Sequence, residues 1–380
     1  MHKPDADPQG TTVIIGNSVR YLAQSAYAAG DAVVGIDAFN DIDMQAACRR
    51  AVQAAAMTAS ALATAFKPLI LEQSPASPLS WVYTSGFEPD AEVLAQLHRR
   101  APGMLGNEAK VMQVLADPIR LFRLLDTLAI AYPQTHSIAP KDTSDWLFKP
   151  AGGYGGVGIK PASAVPRGEP GGYFQQRING PLWSLLFAAD GRDVAVIGFN
   201  RLTVNDAAAG DYRFSTAIGG LRPPEAAREA MVLAAQRLTK SLTLRGVNGI
   251  DFVLDGDHAL LLDINARPPA TLELYEQVLP DGGWQTHLAA CKGELPEEFP
   301  FDQRVRGMQV MYCEHARSLA AFEWPQGVTD LPPPGTQLHP DMPLCTVHAE
   351  ASSEAVVRRE LYRLAHEVRR QVVSHSEAAA

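Results

Sequence analysis

Four side chains able to bind a metal ion and a phosphate lie on two neighbouring apolar segments just past the middle of the chain. The segments, residues 249–254 and 259–268, are separated by a short polar turn, and this pattern predicts a β-hairpin. Side chains alternate between the two faces of a strand, so pairing of the segments turns one polar set to a common face, namely Asp251, Asp263, Asn265 and Arg267. Carboxylate and amide oxygens suit Mg²⁺, which takes its other ligands from water and substrate phosphates, and the arginine suits a phosphate.

The alternative is an ordinary hairpin whose acids face water, which is the better interpretation for any single carboxylate. Asp263, however, follows the apolar run 259–262, which shows no alternation and is typical of a strand buried on both faces. A charge in such a strand needs a partner or a metal ion. We therefore favour the metal site.

A glycine-rich loop about a hundred residues earlier is the second candidate for phosphate binding. Residues 148–159 lie between two strand-like segments rather than before a helix, which excludes a Walker A loop. Lys149 precedes five glycines, Gly152, Gly153, Gly155, Gly156 and Gly158. Glycines let the backbone approach phosphate oxygens, and a lysine meets a phosphate as a point charge. We favour a flap over a nucleotide; the alternative is a flexible hairpin tip.

The N-terminal part predicts a doubly wound α/β unit that would carry this chemistry at the carboxyl ends of its strands. Its elements are expected at residues 11–16 (strand), 19–29 (helix), 32–37 (strand), 44–66 (long Ala-rich helix) and 80–84 (strand). No GxGxxG pattern follows Gly16, so a dinucleotide site is not predicted here. Asp37, Asp41 and Asp43 follow the second strand; they could bind a substrate hydroxyl or amine, but we expect Asp41 to cap a helix.

The rest of the chain predicts a second and a third domain. A helix over 111–131 is broken at Asp117-Pro118, a small lid of two strands follows at about 145–178, and the region 181–291 supplies a central sheet with the acidic hairpin. A β-rich segment and an amphipathic helix over 353–373 close the chain. The predicted fold class is thus α/β (α+β), with domains at 1–108, 109–298 and 299–380.

Composition limits the partners. A net charge of −9 without a basic run argues against nucleic acid. The four cysteines show no CxxC spacing, so neither a zinc site nor a disulfide framework is indicated. Residues 1–10 do not resemble a signal peptide, and no apolar run approaches the ~20 residues of a membrane span. We expect a cytoplasmic protein without a membrane partner.

The lysine, the glycine flap and the hairpin together resemble the ATP-grasp superfamily over most of the chain. The resemblance implies an ATP-grasp fold with a pre-ATP-grasp N-terminal domain, ATP as nucleotide, and Mg²⁺ or Mn²⁺ as metal. It implies that Lys149 and the flap hold the phosphates, that Asp251, Asp263 and Asn265 bind the metal, and that Arg267 contacts the transferred phosphate. Lys149 and Arg267 would then be the catalytic pair.

The segment 172–184 resembles the hinge that binds adenine in this family. The residues implied to contact the nucleotide are Gln175, Gln176, Ile178 and Ser184. Gln176 stands where a glutamate is usual, so an amide would replace an acid at the adenine. Asp263 likewise replaces the commoner glutamate, with the same oxygen chemistry and a shorter reach.

Within the superfamily, several segments resemble predicted carboxylate–amine ligases of archaea and C1-metabolising bacteria. These are residues 15–26, 37–43, 85–88, 105–108 and 343–347. Relatives include the ligase that joins glutamate to tyramine in methanofuran synthesis, so the resemblance implies a role in a methanofuran- or tetrahydromethanopterin-like pathway. It also implies small-molecule carboxylate and amine substrates, such as glutamate or a cofactor precursor, and a homodimer, since many relatives dimerise.

The function expected from these features is amide bond formation through an acyl phosphate, with Arg213 as a further candidate to hold that phosphate. Two alternatives stay open: a kinase that phosphorylates its substrate without an amine acceptor, and a nucleotide-binding regulatory protein that has lost turnover. Glu88, Asn107 and Glu273 could line the substrate cleft but are expected to be caps or surface groups. Cys345 is expected to be a buried small residue.

Overall fold

The computed structural model describes residues 12–72, 79–300 and 304–378. The polar start at residues 1–10 and the last two residues of the chain lie outside these ranges. The mixed α/β class predicted from the sequence is confirmed, with a parallel sheet at the N-terminus and a large antiparallel sheet in the centre.

The N-terminal sheet is parallel throughout, and its strands are short and rich in apolar residues because both faces are covered. Its strand order is β3-β2-β1-β4-β5. The strands are β1 (Thr12–Ile15), β2 (Val33–Asp37), β3 (Arg50–Gln53), β4 (Ser80–Tyr83) and β5 (Gly103–Met104). The helices are α1 (Arg20–Ala28), α2 (Ile42–Ala47), α3 (Ala59–Glu72) and α4 (Ala91–Arg100).

The long helix predicted over residues 44–66 is wrong, since the structure divides this stretch into α2, β3 and α3. Helix α2 ends at Cys48, whose backbone is extended, and the next residues pair with β2 in the register Val34↔Arg50 to Asp37↔Gln53. Alanine favours helix only weakly, so hydrogen bonding to a sheet edge overrides its propensity.

Two short helices and a small four-stranded sheet follow. The predicted helix break is confirmed, because α5 (Ala109–Leu115) ends before α6 (Pro118–Thr127) begins, with the Asp117 side chain accepting hydrogen bonds from the first-turn amides of α6. The lid sheet has the order β6-β9-β7-β8, its strands being β6 (Thr135–His136), β7 (Trp146–Pro150), β8 (Lys160–Pro161) and β9 (Gly172–Gln176). The glycine-rich loop joins β7 to β8.

The central sheet is antiparallel and begins with the predicted hairpin at its edge. Five of its strands are β10 (Leu182–Asp190), β11 (Val194–Asp206), β12 (Asp211–Gly219), β13 (Arg245–Asp255) and β14 (His258–Asn265). Helix α7 (Glu225–Leu242) covers one face, and α8 (Gly282–Lys292) follows the hairpin. Most of the segment 200–210, which precedes Arg213, belongs to β11.

The C-terminal strands extend the same sheet, so its complete order is β14-β13-β10-β11-β12-β15-β19-β17. They are β15 (Val305–Tyr312), β16 (Arg317–Leu319), β17 (Val328–Thr329), β18 (Gln337–Leu338), β19 (Pro343–Ala351) and β20 (Ser376–Ala378). β16, β18 and β20 form a separate small sheet. The predicted closing helix is confirmed as α9 (Glu354–Ser374), whose apolar face packs on β15 and β19.

One hydrophobic core joins the parallel sheet to the central sheet. It runs from Val13 and Trp81 through Leu121 to Trp183 and Leu261, all of which are buried. The carboxyl ends of β1 and β4 are thereby held against the hairpin. Among the described residues, no helix is both long enough and apolar enough to cross a lipid bilayer.

Helix α3 offers a matched test of this packing. Leu62 is fully buried in the core, whereas Leu71 on the same helix is 76% exposed. Leu62→Ala is expected to lower the free energy of unfolding by about 2–5 kcal/mol, and Leu71→Ala by less than about 0.5 kcal/mol. Denaturant titration of both variants measures the difference, and equal losses would contradict the described position of α3.

Candidate functional site

The hairpin brings the predicted oxygen ligands together. Its turn lies at Gly256 and Asp257, and its register places Asp251 directly opposite Asp263 and Gly249 opposite Asn265. The Asn265 Nδ2 donates to Asp251 Oδ2 at 3.3 Å. Two carboxyl groups and an amide therefore share one face at the open edge of the central sheet.

A β-bulge explains the apolar run that precedes Asp263. Asp251 pairs with Asp263, but the next residue pairs with Leu261, which leaves Leu262 as the extra residue. As a result Leu261 and Ile264 are buried on the core face, while Leu262, Asp263 and Asn265 line a cavity on the other. The expectation of a strand packed on both faces is wrong; one face meets the core and the other meets the cavity.

Lys149 from β7 supplies a cation to this face. Burial lowers the pKa of the Lys149 ammonium, while the nearby carboxylates of Asp263 and Asp251 act in the opposite direction. Lys149 and both acids line the same cavity. The lid and the hairpin thus meet through opposite charges that are distant in sequence but close in space.

The charges of the two acids fit a bound cation. Burial and the facing Asp263 raise the pKa of Asp251 to about 7, and burial raises the pKa of Asp263 although Lys149 lowers it. Adjacent carboxylates in a partly desolvated site are therefore under-compensated by Lys149. No group of three His, Cys, Asp or Glu side chains arranged for a metal exists among residues 12–72, 79–300 and 304–378. Two acids and an amide would hold Mg²⁺ with water and phosphate completing its shell.

Arg267 is fixed by an acid from the N-terminal part. Its Nε donates to Glu88 Oε1 at 2.5 Å and one terminal nitrogen donates to Asn265 Oδ1 at 3.0 Å. The other oxygen of Glu88 accepts from the Gly86 amide at 2.7 Å. Glu88 is buried, so its expected role as a cap or surface group is incomplete: it orients the arginine that lines the cavity.

Asn107 also lies inside rather than on the surface. Its amide nitrogen donates to the carbonyl of Ala266 at 2.9 Å and to Asn248 Oδ1 at 2.7 Å, and its Oδ1 accepts from the Arg245 amide at 2.8 Å. Tyr83 at the end of β4 donates to the same Ala266 carbonyl at 3.2 Å. These bonds fix the backbone immediately before Arg267.

The glycine flap lies across the cavity in a closed position. Gly156 has a φ of +76°, and a Cβ there would lie 1.9 Å from the Tyr212 carbonyl oxygen. The carbonyl of Gly155 accepts from the Phe214 amide at 2.9 Å, and the Tyr154 hydroxyl accepts from Asn17 Nδ2 at 2.7 Å. The flap is therefore anchored to β12 on one side and to the end of β1 on the other.

The cavity has a volume of about 1030 Å³ and lies between the parallel sheet, the flap, the hairpin and the C-terminal strands. Of the sequence-predicted site residues, the structure places nine on its lining, Lys149, Gly155, Gly156, Gly158, Ser184, Asp251, Asp263, Asn265 and Arg267. Such a volume accommodates a nucleotide together with a small second ligand.

The other predicted nucleotide contacts lie off this lining. Gly152 and Gly153 are at the base of the flap, where a Cβ on Gly152 would meet the Glu88 carbonyl at 2.5 Å. Gln175 is buried within the lid and donates to Thr135 Oγ1 at 3.5 Å, while the backbone amide of Gln176 donates to the Gln134 carbonyl at 2.8 Å. The Ile178 carbonyl accepts from the Gly180 amide at 3.2 Å.

Arg213 lines the cavity but is already paired. It donates to Asp211 and to Asp341, at 2.5 Å and 2.8 Å from one terminal nitrogen, and its guanidinium lies 4.4 Å from the centre of the Tyr312 ring. These acids raise the pKa of Arg213. The structure thus gives Arg213 a role in joining β12 to the C-terminal segment.

Sequence reasoning missed an ion-pair cluster at the other end of the cavity. Arg20 at the start of α1 is only 2% exposed, and it pairs with Asp330 at 2.9 Å and bidentately with Glu273. An arginine on a helix face that is otherwise apolar was the available signal. Glu273 lines the cavity, so its expected place on the surface is wrong.

Asp41 was expected to cap a helix, and this prediction is wrong. It occupies the N-cap position of α2 but makes no side-chain capping bond, whereas Asp37 accepts from the amides of Val19, Phe39 and Asn40. Asp43 instead accepts from the Asp330 and Leu331 amides. Burial, followed by Asp330, Asp37 and Asp43, raises the pKa of Asp41 to about 9. Cys345 is buried beside this group, as predicted.

Comparison with known proteins agrees with this architecture. Residues 115–271 match a family model described as an ATP-grasp domain. A comparison with curated proteins finds no match. Among solved structures, N5-carboxyaminoimidazole ribonucleotide synthetase from Thermus thermophilus matches with a TM-score of 0.68 and 16% identity, covering 94% of this chain and 98% of the other.

Two further structures show the same fold. L-amino acid ligase from Bacillus licheniformis matches with a TM-score of 0.68 and 13% identity, over 94% of this chain and 98% of the other. The second is the biotin carboxylase domain of Hydrogenobacter thermophilus 2-oxoglutarate carboxylase, which was solved with MgADP, ADP and bicarbonate. It matches with a TM-score of 0.69 and 14% identity, over 98% of this chain and 91% of the other. The predicted ATP-grasp fold is therefore confirmed.

The flap offers a test that does not depend on any ligand. Gly156→Ala is expected to displace the flap from β12, because its Cβ would overlap the Tyr212 carbonyl, whereas Gly155→Ala meets nothing within 4 Å. Both glycines have positive φ, so the backbone strain is shared. Chymotrypsin cleavage after Tyr154 should be at least about tenfold faster in Gly156→Ala than in Gly155→Ala. Mass spectrometry of the fragments measures the two rates. Equal rates in the two variants would contradict the closed flap.

Asp41 offers a stability test. Its pKa is about 9 in the folded protein and about 3.9 in the unfolded chain, so between these values folding takes up a proton and stability falls as the pH rises. Asp41→Asn removes this titration. We expect the variant to gain stability relative to the original protein progressively from about pH 5 to pH 9, in denaturant titrations. A difference that is constant or shrinks over this range would contradict the burial of the Asp41 carboxyl.

Proposed function

We propose that this chain, whose residues 115–271 form an ATP-grasp domain, is an ATP-dependent ligase that joins a carboxylate to an amine. The observation that carries the proposal is the set of groups around one end of the cavity: Lys149, two facing carboxyl groups, Arg267 and a closed glycine flap. Together they offer cations for phosphates, oxygens for a metal, and a cover against water. A second substrate fits in the remaining volume.

The similar structures support this reaction class by their names. One is a synthetase, one an L-amino acid ligase, and one a biotin carboxylase domain in complex with MgADP. We carry over to this chain only the shared element, which is use of a nucleotide to activate a small carboxylate-type substrate. The expected substrates are a small-molecule carboxylate and an amine.

Asp251 and Asp263, with Asn265, are the residues that would hold Mg²⁺. When bound, the ion would supply charge neutralisation at the phosphates. The facing positions of Asp251 and Asp263 and the contact of Asn265 with Asp251 support this role, because carboxylate and amide oxygens suit Mg²⁺. Mn²⁺ has the same ligand preferences and is the natural substitute in experiments.

The remaining residues would position and stabilise charge. Lys149 would contact the terminal phosphates, and Arg267, oriented by Glu88, would contact the phosphoryl group as it moves. In the proposed reaction the substrate carboxylate attacks the γ-phosphate, giving ADP and an acyl phosphate. The amine, in its neutral form, then attacks the acyl carbon, inorganic phosphate leaves, and the nitrogen loses a proton to give the amide. The flap would keep water away from the acyl phosphate, which water would otherwise hydrolyse.

A narrower version of the proposal assigns the ligase to C1-cofactor biosynthesis of the methanofuran or tetrahydromethanopterin kind. Its support is the resemblance of residues 15–26, 37–43 and 343–347 to ligases of that kind. All three segments contribute to the cavity, through Asn17 and Arg20 in the first, Phe39 and Asp41 in the second, and Leu344 to Thr346 in the last. Glutamate and tyramine are therefore the first substrates to try.

The ligase activity is tested with Mg-ATP and panels of carboxylates and amines, including glutamate and tyramine. Phosphate release that requires both a carboxylate and an amine, with an amide in the mass spectrum, is the expected result. Release with a phosphorylated product and no amide would indicate a kinase instead. Nucleotide binding without release on any substrate pair would overturn the proposed activity.

Lys149→Ala is expected to reduce substrate-dependent ATP turnover by about 10²–10³-fold, because removing one preorganised charge at a transition state has effects of that size. Lys141→Ala removes the same side chain from an exposed position of the lid region and is the matched control. Steady-state phosphate release measures both. A similar loss in the two variants, or none in Lys149→Ala, would contradict the assigned role.

A further inference from the structure

The end of the cavity away from the hairpin carries more carboxyl groups than basic groups, and the proposed chemistry on ATP does not use them. Carboxyl groups converge there from the N-terminal unit, the segment after the hairpin and the C-terminal segment: Asp37, Asp41, Asp43, Glu273 and Asp330. Arg20 is the cation within the group, and His348 lies 3.7 Å from Glu273 at its edge. Even with both charged, the acids outnumber the bases.

Four of the five acids have hydrogen-bond or ion-pair partners that account for their positions. Asp37 accepts three backbone amides, and Asp43 accepts two. Glu273 and Asp330 bind the Arg20 guanidinium, and Asp330 also accepts from the Thr346 hydroxyl at 2.5 Å. These contacts join the elements around the cavity and are structural.

Asp41 is the exception. It is 3% exposed, it lines the cavity, and its Oδ2 has no hydrogen-bond partner among the described residues. A buried carboxyl oxygen without a donor costs about 1–3 kcal/mol, so a water molecule, an ion or a ligand normally supplies the partner. The neighbouring acids repel a negative charge on Asp41 and do not stabilise it.

The missing donor is supplied by a protonated amine, whereas a metal ion donates no hydrogen bond. An ammonium group carries one charge and donates up to three hydrogen bonds in varied directions. The adjoining lining is apolar, with Val19, Phe39, Met57 and Leu344, and suits the carbon skeleton that carries the amine.

We propose that the Asp41 end of the cavity binds the amine substrate as its ammonium ion, which makes this substrate a small primary amine with an apolar stem. The proposal rests on the ligase function, because it assigns the second substrate of that reaction to a particular part of the same cavity. Asn17, Ser18 and the segment Pro268 to Thr271 line the cavity between Asp41 and Arg267, so the two ends are continuous. Asp41 would release its proton when the ammonium ion binds and would contact that ion as a carboxylate.

The test uses pairs of probes that differ only in charge. 2-Phenylethylamine is compared with 2-phenylethanol, and 1-butylamine with 1-butanol, by calorimetry on the full chain at pH 7.5. We expect each amine to bind at least tenfold more tightly than its alcohol, and Asp41→Asn to abolish that preference. Asp41→Glu, which keeps the charge, should retain part of it, and Asp142→Asn, which removes an exposed carboxylate, should retain all of it.

Equal binding of amine and alcohol, including no binding of either, would overturn the proposal, as would an unchanged preference in Asp41→Asn. Mg-ATP binding is measured on the same samples and should not change in Asp41→Asn, which separates this site from the nucleotide end and shows that the variant is folded. If amines bind through Asp41 but no carboxylate supports ATP turnover, the ligase function fails and the amine site stands. If substrate-dependent ATP turnover occurs but amines do not bind more tightly than alcohols, the ligase function stands and the amine site fails.

Discussion

The structure around the cavity depends on two carboxyl groups that face each other across an antiparallel hairpin. The register of β13 and β14 sets Asp251 opposite Asp263, and burial together with the repulsion from Asp263 raises the pKa of Asp251 to about 7. Positive charge nearby favours both carboxylates, and Lys149 of the lid provides part of this charge and Arg267 another part. A bound divalent cation would balance the remaining negative charge of the two carboxylates. The positions of the lid, the hairpin and the N-terminal sheet therefore all affect this one site.

The N-terminal unit contributes by fixing groups from the other parts of the chain. Glu88 holds Arg267, Asn107 and Tyr83 hold the carbonyl before it, and Asn17 donates to the tyrosine of the flap. At the opposite end Arg20 ties the same unit to the C-terminal segment through Asp330. The cavity is therefore built by contacts between all three parts of the chain. One end combines carboxyl groups with Lys149 and Arg267, which suits a metal ion with phosphates, and the other end is rich in carboxyl groups, which suits an amine.

Local patterns in the sequence were enough to predict the hairpin, the flap, the βαβ start and the closing helix, because alternation, glycine clustering and helical periodicity are short-range signals. These patterns failed where contacts between residues distant in the sequence determine the local structure. Residues 50–53 were predicted as helix but pair with a strand edge, and Asp41 was predicted as a cap but is left without a bond. The Arg20–Asp330 pair joins residues 310 positions apart, which no local pattern could reveal. The predicted adenine contacts in the lid remain a prediction, since only Ser184 of that group lines the cavity.

The role of the hairpin is tested most directly by the metal dependence of ATP binding, measured by calorimetry with a non-hydrolysable ATP analogue in Mg²⁺ and in EDTA. We expect Mg²⁺ to tighten binding at least about tenfold, or about 1.4 kcal/mol, and the double variant Asp251→Asn, Asp263→Asn to lose this gain while keeping its fold. Equal affinity with and without Mg²⁺, or a gain that survives in the double variant, would contradict the claim that the hairpin holds the metal of a bound nucleotide.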